Sequence, residues 1–121
     1  MNQRLESLEK LTSSDKADAF AWYGLAMEYK AAGRIDDAER AFTTLREKHP
    51  DYVPMYLMAG SMLVDAGRGD DARGWLEEGM ERATAAGNAH ARDAMKGLLA
   101  KVLGGPRGVP LVTIPMKRND L

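Results

Sequence analysis

Apolar residues recur at intervals of three and four along most of the chain, which is typical of helices that bury one face. Between residues 19 and 32 this spacing places Trp22, Leu25, Ala26 and Tyr29 on a single helical face. A second apolar stripe follows, formed by Ala38, Ala41, Phe42 and Leu45. Gly33 stands between the stripes, where a glycine commonly ends a helix. The pattern therefore predicts a pair of helices joined by a tight turn.

The same arrangement returns one period later. The segment Gly33–Ala38, GRIDDA, matches Gly67–Ala72, GRGDDA, at a separation of 34 residues. The flanking large residues match as well, since Trp22 pairs with Tyr56 and Phe42 with Leu76. A fixed period of this length indicates a helix pair that is repeated along the chain.

Extension of the period in both directions predicts an all-α fold of six helices. We expect these at residues 2–12, 18–32, 36–48, 53–66, 70–85 and 88–103. The first helix carries Leu5, Leu8 and Leu11 and represents half a repeat. The last is a capping helix, whose inner face is formed by Ala91, Ala94, Met95, Leu98 and Val102.

The spacing also predicts a core and two helix caps. The side chains expected to be buried are Trp22, Leu25, Phe42, Leu45, Leu63 and Leu76. Asp36 and Asp70 stand where the second helix of each pair should begin, so we expect their carboxylates to accept hydrogen bonds from first-turn amides. Ala38 and Gly60 are small where two helices would cross closely.

The period and the spacing of its large and small residues resemble the tetratricopeptide repeat. The residues that carry this resemblance are Trp22, Leu25, Ala26, Tyr29, Ala38, Phe42 and Pro50. A looser second copy uses Tyr56, Ala59, Gly60, Leu63, Ala72 and Leu76, with Thr84 in place of the closing proline. The resemblance implies one helical domain at residues 1–103, with repeats at about 19–52 and 53–86, the half-repeat helix at 2–12 and the capping helix at 88–103. Residues 104–121 form a separate apolar tail that contains glycine and proline.

The resemblance implies a non-catalytic module that binds a peptide or a partner protein. In a stack of helix pairs, the first helix of each pair lines the concave side. The residues expected on that side are Phe20, Tyr23, Met27, Lys30, Leu57, Met58, Ser61 and Val64. They are more apolar than a solvated face should be, although neighbouring elements could cover part of them. Tyr23, Met27 and Met58 stand where some relatives carry the Lys and Asn residues that grip a terminal carboxylate, so we expect no such clamp.

Composition restricts the chemistry that this chain can perform. It has no Cys, only two His, and 17 basic against 18 acidic residues, for a net charge of −1. We therefore expect no catalytic group, no metal site and no cofactor, and neither nucleic acid nor a membrane as a partner. The charged start at Met1–Glu6 has no apolar signal region, which makes a cytoplasmic location the default expectation.

The tail supplies a second hypothesis about binding. Residues 109–116, VPLVTIPM, contain one polar side chain, and Pro110 and Pro115 prevent a helix. We expect this segment to lie extended on an apolar surface, either its own concave side or that of a second copy. The alternatives are a loosely held tail with incidental apolar residues and, for the whole chain, a self-associating structural subunit whose groove or tail forms a homo-oligomer interface.

Overall fold

The computed structural model describes residues 2–14 and 16–104, and in these ranges it contains helices only. They are α1 (Gln3–Thr12), α2 (Ala19–Ala31), α3 (Ile35–Lys48), α4 (Val53–Asp65), α5 (Gly69–Ala85) and α6 (Ala89–Gly104). Each boundary falls within one residue of the expected position, so the six-helix all-α prediction is confirmed. The prediction for residues 109–116 lies outside the described residues.

The helices pack mainly against their neighbours along the chain. The extensive contacts join α2 with α3, α4 with α5, and α5 with α6. Helix α1 packs on α2, and α6 also reaches α4. The stack thus consists of two helix pairs with one additional helix at each end.

Three tight turns of the same kind reverse the chain. Gly33, Gly67 and Gly87 have φ angles of 77°, 77° and 73°, a conformation that costs other residues energy. After each glycine, the next amide donates to a carbonyl five residues earlier, as in the bond of 2.9 Å from Arg34 N to Tyr29 O. The turn at Gly87 was not predicted. It joins α5 to α6 in the same way that the turn at Gly33 joins α2 to α3. This tight turn takes the place of the proline expected at the end of the second repeat.

The capping prediction for Asp36 and Asp70 is wrong. Helices α3 and α5 begin directly after their glycine turns, with Arg34 and Arg68 at the N-cap position and no side-chain capping bond. Because only one residue separates each glycine from its helix, both aspartates already lie within the first turn. Their negative charges still interact favourably with the positive end of the helix dipole there. The Asp36 carboxylate instead accepts a hydrogen bond of 2.5 Å from Arg68.

An unbroken run of aromatic rings connects the two helix pairs. The ring of Phe42, which is completely buried, lies 6.5 Å from Tyr23 and 6.3 Å from Trp75. Trp75 in turn lies 6.1 Å from Tyr56, whose hydroxyl donates to the Pro50 carbonyl at 2.6 Å. One core therefore extends through both pairs.

Five of the six side chains expected in the core are buried: Leu25, Phe42, Leu45, Leu63 and Leu76. The prediction for Trp22 is wrong, since this residue is only half-buried. Its counterpart Tyr56 is fully buried, because its ring lies 6.1 Å from Trp75 and it packs closely against Gly79 of α5. Within α1, Leu5 is buried but Leu11 is 55% exposed, so this helix covers α2 incompletely.

Two glycines allow the helices of the second pair to approach closely. A Cβ atom at Gly60 would overlap the Leu76 side chain, which confirms the close crossing expected there. A Cβ atom at Gly79 would overlap both Tyr56 and the sulfur of Met95. Gly79 stands one period after the large Leu45, and its lack of a side chain leaves room for the capping helix to insert Met95.

The two phenylalanines of the chain provide a matched test of the core. Phe42→Ala should lower the free energy of unfolding by about 3–5 kcal/mol, because it removes a fully buried ring from the contact between the pairs. Phe20→Ala makes the same chemical change at a residue that is 71% exposed, and should change stability by less than about 0.5 kcal/mol. Urea denaturation measures both, and equal effects would contradict the assigned core.

Two glycines of α5 test the close approach. Gly79→Ala should destabilise the protein by about 1–3 kcal/mol, because the added methyl group meets Tyr56 close to its backbone. Gly74→Ala adds the same methyl group where no atom lies within 4 Å, and should stabilise the helix by about 0.5–1 kcal/mol. The unfolding temperatures of the two variants should therefore shift in opposite directions. A Gly79→Ala variant as stable as the unchanged protein would contradict the close packing of Gly79 against Tyr56 and Met95.

Candidate functional site

The eight residues expected on the concave side lie on α2 and α4, and we refer to them as the concave face. They are Phe20, Tyr23, Met27 and Lys30 on α2 with Leu57, Met58, Ser61 and Val64 on α4. Phe20 is 71% exposed and the other seven are half-buried. The half-buried apolar members also touch the core, so each has part of its surface fixed in the stack and part turned outward.

Tyr52, which the sequence analysis did not single out, extends the concave face at one end. It immediately precedes α4, and its ring lies 5.3 Å from that of Tyr23 at an angle of 58°. Burial raises the pKa of Tyr23, and the nearby Tyr52 raises it further, so this phenol keeps its proton at neutral pH. Tyr52 was missed because the helical period predicts only positions within helices. The one signal in the sequence that could have indicated Tyr52 was its position directly before the expected start of α4 at residue 53.

An open cleft adjoins this aromatic end. It has a volume of about 370 Å³ and is lined by Ala19 of α2 together with residues 48–52. Lys48, His49 and Asp51 give it polar groups, and the Asp51 carboxylate accepts a hydrogen bond of 3.2 Å from Arg82. The cleft therefore places hydrogen-bonding groups next to the aromatic pair.

The outward surfaces of α3 and α5 have a different character. Arg34 and Arg40 both pair with Asp37, and the Arg34 guanidinium is the main reason that the pKa of this carboxyl group lies below its ordinary value. On α5, Arg73 pairs with Glu77 at 3.1 Å. These exposed ion pairs are typical of a solvated surface. The apolar surface of α2 and α4 thus contrasts with the charged surface of α3 and α5.

The described residues offer little catalytic or metal-binding geometry. His49 lies in the connection between α3 and α4, whereas His90 is exposed in the first turn of α6. Within residues 2–14 and 16–104, no three His, Asp or Glu side chains gather as a metal site would require. Over the same ranges, no helix has the length and apolarity needed to cross a membrane.

The fold and the site define a helical-repeat protein built from antiparallel pairs. The family profile described as tetratricopeptide repeat matches residues 23–88, which is more than half of the chain. The chain belongs to the tetratricopeptide repeat family. Domains of this family are generally protein-interaction modules and are typically non-catalytic.

Solved structures of similar proteins agree with this assignment. The crystal structure of a tetratricopeptide repeat domain protein from Salinibacter ruber is 30% identical and covers 72% of this chain and 98% of its own, with a TM-score of 0.66. A solution structure of such a domain from the same organism is 28% identical, covers 80% and 98%, and has a TM-score of 0.69. A protein from Bordetella parapertussis shares the fold at 19% identity, with coverage of 85% and 90% and a TM-score of 0.71.

A double-mutant cycle tests the contact between Tyr23 and Tyr52. Tyr23→Ala, Tyr52→Ala and the double variant should reveal a coupling free energy of about 0.5–1.5 kcal/mol, as measured for aromatic pairs at this separation. Chemical denaturation measures the free energy of unfolding of the three variants and of the unchanged protein. Strictly additive effects would show that Tyr52 does not support the aromatic end of the concave face.

Proposed function

We propose that this protein is a non-catalytic adaptor that binds an extended peptide or partner segment on its concave face. The observation that supports this best is the placement of apolar side chains. Phe20 is largely exposed, and Tyr23, Met27, Leu57, Met58 and Val64 keep part of their surface outside the core. Several apolar side chains that keep outward surface on neighbouring helices are typical of a site that binds another protein segment.

The concave face suits a segment with apolar anchors. Covering an exposed aromatic ring such as Phe20 contributes about 1.5–3 kcal/mol. Met27 and Met58 have flexible side chains that adjust to anchors of different shape. Because the same helices are held by the continuous core, the face is formed before binding and loses little conformational entropy when a ligand arrives.

The charges on the face limit which partners it should accept. Lys30 is the only charged member of the eight, so the surface lacks the several cations that phosphate backbones or acidic peptides require. The positions that a carboxylate clamp would need carry Tyr23, Met27 and Met58. We therefore propose an uncharged, apolar segment as the ligand rather than nucleic acid, a membrane or a charged chain end.

Quantitative capture from native lysate tests this proposal. The bait is the full chain, compared with a variant that carries Met27→Lys and Met58→Lys. A matched control places the same two charges on α5 through Gly74→Lys and Ala85→Lys, which are exposed positions. Partners of the concave face should fall at least about tenfold with the first variant, which corresponds to 1.4 kcal/mol, and remain with the control.

Thermal unfolding verifies that all three baits are folded before capture. If folded baits retain the same set of proteins regardless of the two lysines on the concave face, the face is not the binding site. Light scattering at two concentrations addresses the alternative. A homo-oligomer that dissociates in the Met27→Lys, Met58→Lys variant alone would replace the adaptor by a self-associating subunit.

A further inference from the structure

We propose that residues 109–116 of the same chain occupy the concave face, so that the protein carries a competing ligand for its own binding site. This inference rests on the proposed function, since it assigns an occupant to the same surface. It combines three observations: the chemistry of the segment, the place where α6 ends, and the character of the concave face.

The segment has the composition of a ligand. Val109, Leu111, Val112, Ile114 and Met116 give it five large apolar side chains among eight residues. Segments that remain solvated are normally rich in polar and charged residues. Pro110 and Pro115 fix their φ angles and favour an extended backbone, which is already in the conformation that grooves of aromatic side chains recognise.

The end of α6 brings the segment within reach. The tight turns on either side of α5 make α4 and α6 run the same way, and α6 packs on α4, so Gly104 lies towards the end of α4 that holds Val64. The contact between Tyr23 and Tyr52 sets the first halves of α2 and α4 side by side, so Lys30 belongs to the same end. Adjacent packed helices are about 8–10 Å apart. Residues 105–108 span up to about 13 Å at about 3.3 Å per residue, which suffices to bring Val109 to α4. The eight residues that follow extend about 26 Å further, enough to cross towards α2.

The concave face offers complementary chemistry along this path. The segment would first meet Val64 and Met58, which suit aliphatic side chains such as Leu111 and Val112. It would end near Phe20, Tyr23 and Tyr52, where Pro115 can pack against aromatic rings. A chain crossing in the opposite sense would have to start at the aromatic end, far from Gly104.

Attachment to the same chain makes even weak binding effective. A short flexible linker holds a tethered ligand at an effective concentration on the order of 1 mM. With an intrinsic Kd on the order of 0.1 mM, the segment would occupy the face most of the time and weaken an external ligand roughly tenfold. The expected consequence is a module that binds only partners able to displace its own tail.

The absence of cysteine allows a direct test in the full chain. Thr113→Cys places a single thiol in the middle of the segment, at its one polar position, and a nitroxide label attached there broadens the NMR signals of nearby nuclei. In ¹⁵N-labelled protein, we expect strong loss of amide intensity at Met27 and Met58. Amides on the outer side of α5, such as that of Arg73, should keep their intensity.

Two controls identify the cause of the broadening. Adding Leu111→Asp and Ile114→Asp to the labelled chain should restore the Met27 and Met58 signals, because two carboxylates replace the anchors. Lys117→Gln, a change outside the segment, should leave the broadening intact. Because these substitutions lie beyond α6, we expect the helical stack to stay folded, and unchanged amide signals on the outer side of α5 provide the check.

Three results would overturn the proposal. Broadening confined to the end of α6 would show that the segment does not reach the face, and broadening centred on α3 and α5 would place it elsewhere. Equal broadening of ¹⁵N chains that carry no spin label, when they are mixed with spin-labelled ¹⁴N chains, would assign the occupant to a second copy. If lysate partners still bind through Met27 and Met58 in any of these cases, the proposed function stands and only this inference fails.

Discussion

The packing of Phe42 between Tyr23 and Trp75 is the contact on which the rest of the structure depends. A single helix pair has an apolar face on each side and cannot bury both alone. Because the Phe42 ring is completely enclosed and touches rings on either side, it joins the two pairs into one core. The added helices α1 and α6 then cover the two ends, and the position of every residue on the concave face follows from this stacking.

Small residues and glycine turns convert that contact into a regular stack. Ala38 and Ala72 are completely buried, and Gly60 and Gly79 lie where any side chain would collide with a neighbour. The turns at Gly33, Gly67 and Gly87 reverse the chain with the same hydrogen bond. With spacing and direction set in this way, α2 and α4 carry the half-buried apolar residues of the concave face, while α3 and α5 carry exposed ion pairs such as Arg34–Asp37 and Arg73–Glu77.

Periodicity was sufficient to predict the helices because each one buries a single stripe, and the two copies of the repeat support each other. It failed where local detail mattered. Asp36 and Asp70 were assigned to the N-cap, two positions before their actual place in the first turn, because each helix begins two residues after its glycine. Trp22 fills the same repeat position as Tyr56, yet only Tyr56 is fully buried, because it packs against Trp75 and Gly79 of α5. Tyr52 lies outside any helix, so no helical pattern could indicate that its ring meets Tyr23.

The methionines of this chain divide into a buried group and a group on the concave face. Met55 and Met95 are completely buried, whereas Met27 and Met58 lie on the concave face. The decisive measurement is the ¹³C–¹H spectrum of the methionine ε-methyl groups while a segment of a captured partner is added. We expect the Met27 and Met58 signals to shift to saturation while those of Met55 and Met95 stay in place. Binding that leaves the Met27 and Met58 signals unchanged would contradict the concave face as the site of recognition.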